Sequence, residues 1–239
     1  MKELFSSLLD RKKSVYHSEK ILTVEDVRNN VLVDAYLNGA DSHMEGCSCI
    51  EHGRRHANLV SNISYNIIKR LGRAEREAEL AAISGYLHDI GYVINRSQHA
   101  QMGALLSHTI LLHMGMKPRE IIEVVAAIGN HDEGNFDTVN AIAAALMLAD
   151  KSDVHRSRVR SSNLEILQPE ERIYFAVENS FLRVDADSKE ITLELSIDTK
   201  ISQIMEYFEI FLSHMQACEK AAAYLSCKFR LEINGTKVM

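Results

Sequence analysis

The chain has 239 residues, 46% hydrophobic and 25% charged, with a formal net charge of −6. That balance suits one large folded domain or two unequal ones, and its acidity excludes a protein built to grip duplex nucleic acid through the phosphates. Four cysteines (Cys47, Cys49, Cys218 and Cys227) are too few for a disulfide scaffold. No leader-like segment opens the sequence, and no apolar run approaches the roughly 18 to 20 residues of a membrane span, so a cytoplasmic protein without membrane contact is expected.

Two prolines, no tryptophan and abundant Ala, Leu, Ile and Glu favour helix. Residues 1–24 read as an N-terminal arm carrying Arg11, Lys12 and Lys13. Thr23 with Asp26 resembles a capping box, which predicts a helix through Val27, Val31, Val33 and Tyr36 that stops near Asn38 and Gly39. A polar connector, residues 41–51, holds Cys47 and Cys49; such a pair could bind zinc, but without a matching second pair the two read as structural or incidental. From Glu51 an amphipathic helix runs through His56, Leu59, Val60, Ile63, Ile67, Ile68 and Leu71, and Gly72 ends it. A second helix, about Arg73 to His88, carries Ala81, Ala82, Ile83 and Leu87. A third covers Arg96 to His113. Pro118 takes a first-turn position ahead of a fourth, Ile121 to Ile128. Val139 to Asp150 is a fifth, so apolar that it belongs at the centre of the core.

The pattern changes after about Ser161. Arg172 to Asp198 alternates in strand fashion, most clearly at Ile191, Leu193, Leu195 and Ile197, with a hairpin turn at residues 186–189. Ile201 to Leu225 returns to helical spacing, and Phe229, Leu231 and Ile233 alternate again before Asn234 and Gly235. The expected architecture is mainly α, a helical body over residues 25–160 followed by a small strand-strand-helix-strand α+β unit over residues 161–239.

Metal-competent side chains in the body fall at helix ends: His56, His88 with Asp89, His99, His131 and Asp150. Asp150 closes an apolar helix, where a lone carboxylate is poorly solvated and meets the unfavourable end of the dipole. The order His56, then His88-Asp89, then Asp150 resembles the H…HD…D signature of the HD-domain metal-dependent phosphohydrolases. The resemblance extends to the surroundings, Glu51-His-Gly-Arg-Arg-His56, Gly-Tyr-Leu-His-Asp-Ile-Gly91 and Leu-Ala-Asp-Lys-Ser-Asp153, and covers about residues 25 to 160.

It implies an HD-domain helical bundle of at least five helices around a metal held by His56, His88, Asp89 and Asp150. His99 and His131 resemble the further histidines of dinuclear members, where they bind a second metal or the substrate phosphate. One histidine of the pair common in HD-GYP members is replaced by Asn130, and the GYP tripeptide is absent, so the pattern is closer to the dinucleoside-polyphosphate hydrolase type. The implied activity is hydrolysis of a phosphate ester or anhydride, a nucleotide's first among them, by a metal-bound hydroxide.

Mixed nitrogen and oxygen ligation suits Fe, Mn, Co or Ni better than an all-oxygen site, which would favour Mg; the resemblance implies Fe or Mn, with Co, Ni, Zn or Mg as alternatives. Asp89 is the candidate bridging carboxylate, Asp132 or Glu133 a candidate to orient water, and Arg55 and Lys151 candidates to bind substrate. The cluster Arg156, Arg158, Arg160 is a further candidate for phosphate. Asp153 is a candidate partner of a ligand, and His52 reads as a surface or supporting residue. His17, His43, His108, His113, His155 and His214 have no motif context and read as solvated. The alternative is a catalytically silent HD-scaffold protein that binds a ligand or regulates. An oxygenase of the same ligand order is a third reading. The C-terminal unit is a candidate surface for a homodimer.

Overall fold

The computed structural model describes residues 20–46, 48–132 and 138–239. The basic run at residues 11–13, His17, Cys47 and Glu133 lie outside the described residues.

Thr23 opens the first helix, α1 (Val24–Arg28), as a capping box. Its hydroxyl accepts the Asp26 N–H and the Asp26 carboxylate accepts the Thr23 N–H. The single helix expected from here is two. Asn30 Oδ1 accepts from the N–H groups of Leu32 and Val33 at 2.9 and 3.2 Å and starts α2 (Val31–Glu45). Nor does that helix stop at Asn38 and Gly39. It runs through both, because Gly39 serves close packing: a Cβ there would lie 3.1 Å from Val93 Cγ2 in the short 3₁₀ turn Ile90–Val93.

Five helices follow: α3 (Arg54–Arg70), α4 (Glu75–Leu87), α5 (His99–His113), α6 (Pro118–Gly129) and α7 (Ala141–Ser152). Gly72, at φ 72°, ends α3 as expected, and Pro118 is the first residue of α6. Every residue of α7 from Ala141 to Ala149 is buried, so it is the central rod, with α3, α4 and α6 around it. Its alanines let those neighbours approach closely. The α3–α4 contact is closer still: Ser61 donates to the Ala82 carbonyl at 2.8 Å, and a Cβ on Gly85 would meet Ser61 Cα at 2.8 Å.

The C-terminal part opens with a helix where strand alternation was expected. Pro169 sits in its first turn and Glu171 accepts the Gln168 N–H at 2.9 Å, fixing α8 (Pro169–Ala176). The strands then follow as β1 (Val177–Asp185) and β2 (Glu190–Ile197), antiparallel through the turn at residues 186–189, and α9 (Ile204–Tyr224) crosses to β3 (Lys228–Ile233), parallel to β2. A two-residue β4 (Thr236–Lys237) adds an edge through the Asn234-Gly235 turn, both residues at positive φ. Ile191, Leu193, Leu195 and Ile197 are all buried, as their spacing requires. The opposite face is charged and carries the Arg183–Glu194 and Arg230–Glu190 pairs. One continuous core runs from Leu22 through α7 to Ile233, with Tyr207, Phe211 and Met215 of α9 joining the layers.

Candidate metal centre

The centre is assembled by helix ends. His56 stands in the first turn of α3, His88 and Asp89 follow α4, His99 begins α5, His131 follows α6, and Asp150 is in the last turn of α7. The structure brings all six together. His56 Nε2 lies 3.2 Å from His88 Nε2, 3.2 Å from Asp150 Oδ1 and 3.5 Å from Asp89 Oδ2. His88 Nε2 lies 3.2 Å from Asp89 Oδ2 and 3.7 Å from Asp150 Oδ1. The other oxygen of Asp89 faces a second set: Oδ1 is 3.7 Å from His99 Nε2 and 3.8 Å from His131 Nε2, which are 3.3 Å apart. Donors about 2.1 Å from one ion stand about 3.0 to 3.4 Å apart; the shortest contacts in each set fall in that range and the others exceed it by 0.1 to 0.4 Å, so both sets are close to the spacing of a metal shell.

The hydrogen bonds behind the rings decide which nitrogen faces inward. His88 Nδ1 donates to the Gly85 carbonyl at 2.8 Å, His99 Nδ1 to the Arg96 carbonyl at 2.9 Å, and His131 Nδ1 to the Ile128 carbonyl at 2.6 Å. His56 Nδ1 donates instead to Asp153 Oδ2 at 2.7 Å. A carbonyl or a carboxylate can only accept, so each neutral ring carries its proton on Nδ1 and turns a lone pair inward at Nε2. Lone pairs facing one another at 3.2 and 3.3 Å, beside a buried Asp89 Oδ2 that accepts no hydrogen bond, are unfavourable unless a cation lies among them. The residues present therefore fit a divalent metal.

Electrostatics agree. Burial works against ionising Asp89, but His88 beside it holds its carboxyl well below the usual range. Burial likewise opposes ionisation of Asp150, and Lys151, His56 and His88 outweigh it. Burial would depress His88, yet those two carboxylates push it up to about 10. The pocket thus demands positive charge, and one proton on one imidazole cannot serve every donor that a metal ion would. His131, farther from the carboxylates, is pushed down to about 4 by burial and by the charges of His88 and His99.

Close packing positions the second set. Gly91 has no room for a side chain, since a Cβ would lie 1.9 Å from the His99 carbonyl oxygen and 2.4 Å from Gly103 N. The bare backbone there lets the 3₁₀ turn sit on α5 and bring His99 to Asp89. Gly91→Ala is expected to cost about 3 kcal/mol and to separate His99 from Asp89; thermal unfolding and metal stoichiometry check it.

A cavity of about 230 Å³ opens beside the donors, and Lys151 and Asp132 line it with them. Lys151 Nζ is 3.1 Å from Asp150 Oδ2, and Asp132, partly exposed, is 3.6 Å from His99 Nδ1. Arg55 is not among the lining residues. Its guanidinium pairs with Glu51 at 3.0 Å and with Asp153 at 2.8 Å, where it clamps the carboxylate that aims His56. Of the three arginines expected near phosphate, only Arg158 reaches this cavity; Arg156 pairs with Glu178 and Arg160 with Asp41.

Five lining residues were not singled out as site residues by sequence. His52 lies in the loop before α3, because that helix begins at Arg54 rather than Glu51. Burial and the Arg158 charge push its pKa down to about 3. Tyr92 stacks on His99 with ring centroids 4.0 Å apart and touches His52 at 4.7 Å. Glu170, Tyr174 and His214 come from α8 and α9, so His214 is a wall residue and not a solvated one. Only its place beside the HD pattern pointed to His52; nothing in the local spacing marked the other four.

The model of the HD domain matches residues 54–209 of the chain. This protein belongs to the HD-domain family. Members are in general metal-dependent hydrolases, and the histidine and aspartate clusters described above are compatible with that chemistry. The matched region passes residue 160 to take in β1, β2 and the start of α9. An uncharacterized protein of Methanocaldococcus jannaschii, MJ1020, is 28% identical over 182 residues, spanning 65% of this chain and 69% of its own. Among the described residues, no helix of this HD protein is long and apolar enough to cross a membrane.

Proposed function

We propose that the chain is a phosphohydrolase that uses two divalent cations to cleave a phosphate ester or anhydride of a nucleotide. One observation carries the reading: Asp89 turns one oxygen to each of two donor sets whose imidazoles all offer Nε2. His56, His88, Asp89 and Asp150 would hold the first ion, and His99, His131 and Asp89 the second. This donor mix suits a first-row transition ion, and the resemblance to dinuclear members puts Fe or Mn first. The ions would supply water of lowered pKa and offset charge on the phosphoryl oxygens.

The chain's own groups do the remainder. Lys151 and Arg158 give the cavity wall positive charge for a phosphate. Asp132 holds a proton acceptor at the mouth. Tyr92, packed between His52 and His99, keeps both rings in place and excludes water from one wall. The single histidine at position 131 supports similarity to dinucleoside-polyphosphate hydrolases, so nucleoside phosphates and dinucleoside polyphosphates come first as substrates.

Metal analysis of the purified protein, followed by phosphate release from a nucleotide panel with Mn or Fe, tests this. Two equivalents of metal with release from at least one nucleotide are expected. Filled sites without release from any nucleotide would replace this reading with that of a silent ligand-binding protein.

A further inference from the structure

A second cavity, of about 370 Å³, lies between α3 and β1 on the other side of Asp153. Leu59, Ile63, Ile67, Leu182 and Val184 give it apolar walls, and Phe181 stays 56% exposed beside it. Volume and lining are those of a small-molecule site, mostly apolar with a few polar groups.

Its charge is one-sided. Among the described residues the only carboxylate in the wall is Asp153, which is buried and already held by Arg55, Arg158 and His56. Arg55 and His155 also line the cavity, and so does Arg70, which is exposed and has no ion-pair partner among the described residues. Asp185 and Asp187 share an adjoining shallow hollow with Arg70 but do not pair with it. Asp185 spends one oxygen on the N–H groups of Asp187 and Ser188.

We propose that this cavity binds a small amphipathic anion, apolar body between α3 and β1 and anionic head on Arg70, and that the ligand acts as an effector of the metal centre. The link is short. Arg55 lines the cavity and donates to Asp153 Oδ2 at 2.8 Å, and the same oxygen accepts from His56 Nδ1 at 2.7 Å. With the head on Arg70, the apolar body extends along α3 towards Arg55; a body seated against Arg55 changes what Asp153 offers His56, and through His56 it changes the affinity of the centre. Binding itself does not depend on the metal reading; the effector role does.

The test is calorimetric titration of octane-1-sulfonate into the full chain without metal, with octan-1-ol as the neutral control. Saturable binding at one site is expected, at least about tenfold tighter than octan-1-ol. It should weaken about tenfold in Arg70→Glu, and Leu182→Trp, which fills the cavity, should abolish it. Because Arg70 is on the surface, its variant keeps the test sound if the tryptophan disturbs folding. Absence of saturable binding, equal binding of octan-1-ol, or full affinity in Arg70→Glu overturns the site. A saturating dose should also shift the Mn²⁺ dissociation constant about fivefold or more. An unchanged constant overturns the effector role, whereas failure of Mn²⁺ to bind at all counts against the metal centre and not against the cavity.

Discussion

Asp89→Ala is expected to remove phosphate release and to cut bound metal to one equivalent or less. Asp89 is the one side chain that offers an oxygen to each donor set, Oδ2 to His56 and His88 and Oδ1 to His99 and His131. Its loss would leave lone pairs on four histidines with no shared anion to hold two cations near one another. A cation's contribution of several kcal/mol to phosphoryl transfer corresponds to a loss of about a thousandfold. The fold should survive, because Asp89 caps no helix with its side chain and Oδ2 accepts no hydrogen bond. Metal analysis with phosphate release measures both. Undiminished release at full metal content would remove the proposed function.

Asp153→Asn is expected to damage both stability and the centre. The Asp153 carboxylate is buried with His56 Nδ1 at 2.7 Å, Arg55 at 2.8 Å and Arg158 at 3.7 Å. Arg158 is itself buried, and an amide leaves it without a charge partner, at a cost of about 3 kcal/mol. An amide can also present its NH₂ to His56 Nδ1, which moves the ring proton to Nε2 and points it at the donor set. Metal affinity should then fall about 10- to 100-fold.

The pH dependence has a definite sign. Burial would raise the Asp153 carboxyl, but His56 and the arginines hold it below its ordinary 3.8. Its contribution is therefore complete above about that pH and drains away as the pH falls further. The variant should lose that part of the acid limb. Denaturant unfolding at pH 7 and at pH 3 reads it, and a variant with an unchanged midpoint at pH 7 would contradict the clamp.

The helical body was legible because its signals are local. Val60, Ile67 and Ile68 on α3 and the unbroken apolar run of α7 each declare a buried face. The six donors could be read because the family motif fixes their order, although their convergence is a tertiary fact. Three features escaped for physical reasons. Gly39 reads as a helix stop because a glycine serving close packing and one serving a turn look alike in sequence. Residues 172–176 run into the alternating strand segment and read with it, yet Pro169 and Glu171 start a helix that takes them in. Tyr92, Tyr174 and His214 reach the cavity only because the 3₁₀ turn, α8 and α9 fold against the bundle, which no spacing along the chain encodes.

His88, His99 and His131 are each aimed by the carbonyl three residues earlier, that of Gly85, Arg96 and Ile128. A main-chain oxygen is present whatever residue supplies it, so the bearing of these rings needs no particular side chain at Arg96 or Ile128, while Gly85 is held as glycine by its packing on Ser61 and not by the ring it aims. His56 alone depends on another residue's side chain. Natural tuning of the centre, in ion preference or responsiveness, therefore has one inexpensive place to act, the pairing of residue 153 with residue 56.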